Sequence, residues 1–129
     1  MSISNENEAY HILVKALLKH VGNDTWDRLV LNTEIFNKMS RSEKIIYSSK
    51  KVIKEYRELP SEILISEHNA AIYLRDHLIN LTGDRIWGLT FTLYPDGKFE
   101  IDYDYDKPED YEETDEVFTG KEINQTFLK

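Results

Sequence analysis

The strongest constraint on the fold lies in residues 86–106, which alternate with a period of two on both sides of a turn. Trp87, Leu89, Phe91 and Leu93 alternate with Gly88, Thr90, Thr92 and Tyr94; Phe99, Ile101, Tyr103 and Tyr105 alternate with Glu100, Asp102, Asp104 and Asp106. That period puts each set on one face of an extended strand. Tyr94-Pro95-Asp96-Gly97-Lys98 joins the two runs. Pro95 presets φ at the first central position of a turn, and Gly97 suits the left-handed bulge position. If Tyr94 faces Lys98, the register follows. Leu93 faces Phe99, Phe91 faces Ile101, Leu89 faces Tyr103 and Trp87 faces Tyr105, each pair worth roughly 0.2–1 kcal/mol beyond burial. The other face sets Thr92 against Glu100, Thr90 against Asp102 and Gly88 against Asp104. A slip of one residue would turn the carboxylates inward, so the register is strongly specified. The oily face is expected to be used entirely inside the molecule, which leaves the carboxylate face to meet a partner.

The rest of the chain supplies elements to cover that oily face. Its 129 residues suit one compact domain, residues 1–129. Asn5 and Glu8 have the spacing of a capping box. Tyr10, Leu13, Val14, Leu17, Leu18 and Val21 then recur at helical spacing, so residues 6–21 read as an amphipathic helix, with Gly22 as its left-handed stop. Residues 28–36 read as a strand with Leu29, Leu31, Thr33 and Ile35 on one face. Residues 38–43 are polar and turn-like. A strand is expected at about 44–50, continuing towards 56, with helix as the alternative for 50–57. After Leu59-Pro60, Ser66 reads as the N-cap of a helix over 67–81, with Ala70, Ala71, Leu74, Leu78 and Leu81 as its stripe and Gly83 as its end. These elements predict an α+β domain: a mostly antiparallel sheet of four or five strands with helices packed on one face. The last segment, with Val117, Phe118, Ile123, Phe127 and Leu128, is expected to dock on the body as strand or helix.

Charge narrows the function. The net charge is −8, which argues against nucleic acid or anionic lipid as a direct partner. Residues 96–116 hold eleven acids and two lysines, a net of −9, while the remainder holds thirteen acids and fourteen bases, a net of +1. Solubility alone does not require the excess to sit in one block; a positively charged protein partner does. Like charges on neighbouring strand positions also repel, and acids are poor strand formers, so the pattern works against the strand it occupies. With no cysteine, disulfides and thiolate metal sites are excluded. The start of the chain has no basic stretch followed by an apolar run, and no apolar run is long enough to span a bilayer, so a cytoplasmic protein is expected.

Other chemistries fit poorly. Counted from Asp102, acids fall at positions 1, 3, 5, 9 and 12 of an EF-hand-like loop, but position 6, which needs glycine, is Lys107. Alternate strand carboxylates lie about 6.8 Å apart and carpet a face rather than converge on an ion. His11 and His20, and His68 and His77, are each nine residues apart, which makes no helical metal pair, so all four are expected at the surface or boundary. Neither a phosphate loop nor a nucleophile motif occurs, and no cofactor, metal or catalytic residue is expected.

The run from Trp87-Gly88-Leu89-Thr90-Phe91-Thr92-Leu93 through Pro95-Asp96-Gly97-Lys98-Phe99-Glu100-Ile101-Asp102-Tyr103-Asp104-Tyr105 resembles the C-terminal hairpin of the YezG-like antitoxin and immunity family. The surrounding order is similar too: an N-terminal helix, a tryptophan (Trp26) before early strands, a helix, then the hairpin and an acidic tail. The resemblance implies an immunity protein that neutralises a cognate bacterial toxin, often a nuclease delivered in interbacterial competition, with no cofactor and no catalytic residues. The expected toxin contacts are Glu100, Asp102, Asp104 and Asp106 on the strand and Glu109, Asp110, Glu112 and Glu113 beyond it, with Tyr94 and Tyr111 as aromatic anchors. Tyr103 and Tyr105 are expected to face the core. The alternative is an acidic adaptor or nucleic-acid mimic that regulates a basic host protein.

Overall fold

The computed structural model describes residues 3–49 and 51–107. The acidic loop expected after Lys107 and the docking expected of residues 117–129 lie outside the described residues. The elements are α1 (Glu6–Val21), β1 (Arg28–Ile35), β2 (Ser40–Ser48), β3 (Lys51–Ile53), α2 (Ser61–Thr82), β4 (Gly88–Leu93) and β5 (Phe99–Asp104). The five strands form one antiparallel sheet in the order β3-β2-β1-β4-β5, with both helices on one face. The α+β architecture expected from the sequence is the one observed.

α1 starts as its capping signals require. The Asn5 side chain accepts a hydrogen bond from the Glu8 backbone N–H at 3.0 Å, and the Glu8 carboxylate accepts one from the Ser4 N–H at 2.9 Å. Gly22 ends the helix at φ 58° and ψ −122°, a positive φ but not the left-handed helical well. Gly83 does end α2 in that well, its N–H donating to the Ile79 carbonyl.

The hairpin has the expected register. Leu93 pairs with Phe99, Phe91 with Ile101, Leu89 with Tyr103 and Gly88 with Asp104. Its turn carries the Gly97 N–H to the Tyr94 carbonyl at 3.0 Å and the Tyr94 N–H to the Lys98 carbonyl at 2.9 Å, with Gly97 at φ 89°. The oily face of β4 is buried with β1 residues Leu29, Leu31 and Ile35 beneath the helices. Tyr10 of α1 reaches it too, its ring 6.4 Å from Phe91 and 5.3 Å from Phe99.

Three expectations need correction. Residues 40–43, expected as a turn, are the first half of β2, paired with β1 through Ser40↔Ile35, Arg41↔Glu34, Ser42↔Thr33 and Glu43↔Asn32. The strand expected to continue from 44 towards 56 instead ends at Ser48, and residues 51–53, a strand rather than the alternative helix, return antiparallel to it as β3, with Val52 paired to Tyr47 and Ile53 to Ile46. α2 begins at Ser61, so Ser66 is inside the helix. Pro60 holds the extended backbone just before it and accepts from the Ile63 and Leu64 N–H groups.

A candidate protein-binding surface

β5 lies at the edge of the sheet, and register decides what it shows. Glu100, Asp102 and Asp104 pair with Thr92, Thr90 and Gly88 on the face that carries no helix. All three acids are exposed, as is Asp106 beyond the strand end. The turn and the apolar pairs of the opposite face hold these acids in a strand against their own preference. Their bonds are sparse. Glu100 accepts from the Tyr94 hydroxyl at 3.4 Å, and Asp104 accepts from the Asp106 N–H at 2.9 Å. Among the described residues, no cation forms an ion pair with any of the four.

The expected site residues therefore divide. Tyr94, Glu100, Asp102, Asp104 and Asp106 come together on one exposed edge of the open face. Glu109, Asp110, Tyr111, Glu112 and Glu113 lie outside the described residues. Tyr103 turns to the core: its hydroxyl is 3.2 Å from that of Tyr10. Burial, then the hydrogen bond with Tyr10, raises its pKa far above the usual tyrosine range. Tyr105 was also expected to face the core but is 49 % exposed, and Phe99 is 38 % exposed. Among the described residues β5 has no neighbour on its outer side, so there the oily face is not used up internally as the hairpin pattern suggests.

The acidic surface continues inward from the hairpin. A groove of about 730 Å³ lies over Gly88 and is lined by Glu34, Glu43, Asp104 and Asp106 with Arg41 and Lys107. Glu34 accepts from Arg41 at 2.6 Å. Glu34 and Glu43 are not marked by the hairpin pattern because the long-range pairing of β1 with β4 is what brings the β1–β2 hairpin to the side of Asp104.

No protein-family model matches the chain, and no curated protein matches it. Among the described residues no helix is long and apolar enough to cross a membrane, and no cluster of three or more His, Asp or Glu could hold a metal ion.

A second set of side chains was not anticipated as a site. Lys44 and Glu67 form an ion pair at 3.0 Å with side chains only 7 % and 5 % exposed. His20, expected at the surface or boundary, is buried beside them, and His68 Nδ1 lies 2.7 Å from Ser40 Oγ. The one signal in the sequence was the loss of apolar periodicity at these positions, which reads equally well as surface.

Proposed function

We propose that the protein is an immunity protein that acts in the cytoplasm by binding and neutralising a cognate bacterial toxin, a basic nuclease, through the acidic edge of its sheet. The observation that carries this reading is the row of exposed carboxylates, Glu100, Asp102, Asp104 and Asp106, none of which has a cationic partner among the described residues. Nuclease domains present basic surfaces to nucleic acid. An acidic inhibitor occupies such a surface by charge complementarity, with fast, salt-sensitive association. Tyr94 beside Glu100 adds the aromatic contact common where charged rims meet buried interface centres. In this reading Glu109, Asp110, Tyr111, Glu112 and Glu113 also contact the toxin, and the protein performs no chemistry. The hairpin resemblance to YezG-like immunity proteins supports a toxin over other basic partners.

The test is co-expression with the toxin domain encoded beside this gene. The triple variant Asp102→Lys, Asp104→Lys, Asp106→Lys should keep its circular dichroism spectrum and lose protection. A folded variant that protects as well as the wild type would remove the acidic edge from the interface. An adjacent gene encoding no toxin would favour an acidic adaptor of a host protein.

A further inference from the structure

A cleft at the other side of the sheet, against β2 and the start of α2, has a floor that packing alone does not explain. The core-facing positions of β2 are Ser40, Ser42, Lys44 and Ile46, set by their pairing with Ile35, Thr33, Leu31 and Leu29. Three of the four are polar: Ser42 meets the Thr33 hydroxyl at 3.0 Å, but Ser40 and Lys44 lie opposite Ile35 and Leu31. α2 answers them with Glu67 and His68. Lys44 Nζ donates to Glu67 Oε2, but the other carboxylate oxygen, Oε1, is buried with no hydrogen-bond partner. Nε2 of His20 is likewise buried without a partner. Native folds rarely leave such atoms unmet without a functional reason or a bound group. Both residues line a cleft of about 590 Å³, within the range of roughly 300–1,000 Å³ usual for small-molecule pockets. Its walls combine apolar Met39, Tyr56, Leu59, Leu64 and Ile65 with Arg57 and the exposed Lys38, Glu43, Lys54 and Glu55.

The unmet atoms and the charge balance specify the missing group. Glu67 Oε1 can only accept, so the group must donate. Lys44 Nζ has three hydrogens and gives one to Glu67, so a neighbouring acceptor on the ligand would be met. Lys44 and Glu67 neutralise each other. Burial, then the nearby charges of Lys44 and Arg57, lower the His20 pKa from 6.5, which keeps the ring neutral at neutral pH. A charged head at the floor would therefore be desolvated beside a pair that is already neutral, while the other charged lining residues are exposed or, as Arg57 is, already paired.

We propose that this cleft binds a small molecule bearing an uncharged carboxamide on an aromatic or branched apolar body. Its N–H donates to Glu67 Oε1, its carbonyl accepts from Lys44 Nζ, and its body packs on Leu64, Met39 and Tyr56. The proposal is independent of the acidic edge, which lies on β5.

The test titrates the whole isotope-labelled chain at neutral pH with benzamide, benzoate and benzylamine, followed by amide chemical shifts. Benzamide should give saturable shifts centred on Ser40, Lys44, Glu67 and His68. Benzoate and benzylamine should bind about ten-fold more weakly or worse, the discrimination expected when a charge replaces a matched neutral head. Leu64→Ala changes an exposed wall residue and should weaken benzamide about three-fold or more while leaving the fold intact. Unsaturable benzamide shifts, shifts centred elsewhere, equal binding of benzoate or benzylamine, or unchanged affinity in folded Leu64→Ala would each overturn the assignment.

Discussion

Gly88 does more for the acidic face than any of the acids, because it carries no side chain. A Cβ there would lie 2.8 Å from the Thr33 carbonyl oxygen, so β4 approaches β1 more closely than a side chain permits. The same absence leaves backbone as the floor of the groove between Glu34 and Asp104. Gly88→Ala should therefore force the strands apart and destabilise the protein by about 1–3 kcal/mol, the usual range for overpacking. The measurement is urea unfolding, where the midpoint should fall with an unchanged slope. A midpoint equal to the wild type would mean that β1 yields freely at Thr33.

At the scale of elements, polar side chains tie helices to the sheet and its loops, and two of these ties can be tested. Arg57, in the segment after β3, donates from Nη1 to the His20 and Val21 carbonyls at 3.0 and 3.3 Å, and from Nη2 to Asp24 at 2.6 Å. It closes the C-terminus of α1, where carbonyls lack helical partners and a cation is favoured. Arg57→Ala should fray the last turn of α1, at a loss of about 1–2 kcal/mol. Faster hydrogen exchange confined to that turn and the Gly22 amide, which bonds the Leu18 carbonyl, would establish it; uniform exchange would not. The second tie is the Lys44–Glu67 pair between β2 and α2. Lys44→Met should destabilise by about 3–5 kcal/mol because it strands a buried carboxylate, whereas Lys44→Met with Glu67→Leu should recover most of that loss. If the double variant is as unstable as the single one, the polar pair itself holds α2 in place.

That pair also explains which elements were legible in the sequence. The hairpin was readable to the residue because a turn of five residues fixes it locally and both strands alternate without exception. α1 was readable from its cap and its unbroken stripe. The α2 stripe runs back from Ala70 to Ile63, but the buried position between them is Glu67, so the helix seemed to begin after Ser66. In β2 the positions that share a face with Lys44 and Ile46 are Ser40 and Ser42, so its first half, residues 40–43, reads as a turn. The two misreadings differ in cause: Glu67 is a buried acid that looks like surface when one element is read alone, whereas residues 41–43 are exposed and offer no apolar residue to mark the strand. Local rules fail where side chains serve something other than packing. The acidic edge was legible in part, since Glu100, Asp102 and Asp104 belong to the locally fixed hairpin, while Glu34 and Glu43 join it only through long-range pairing.

The whole molecule separates two functions of charge: exposed acids at the β5 edge and a desolvated, neutral floor on the other side of the sheet. That floor makes stability depend on pH in a definite direction. Burial, reinforced by Lys44 and Arg57 and opposed by Glu55, lowers the His20 pKa below its unfolded value of 6.5. As pH falls through 6.5, the unfolded chain takes up a proton at His20 that the native state refuses. The unfolded state then binds more protons, so stability rises with pH in this window and is lost as pH falls towards the lowered native pKa. Above 6.5 both states carry neutral imidazole and His20 contributes no slope. The difference is at most one proton, or about 1.4 kcal/mol per pH unit. Comparing the wild type with His20→Gln isolates this contribution from those the two proteins share. Urea unfolding from pH 7.5 to 5 should show the wild type losing stability faster than His20→Gln below 6.5 and in parallel with it above. Parallel curves throughout would mean that the native state admits the proton, and that water or a rotated Glu67 already meets the His20 ring.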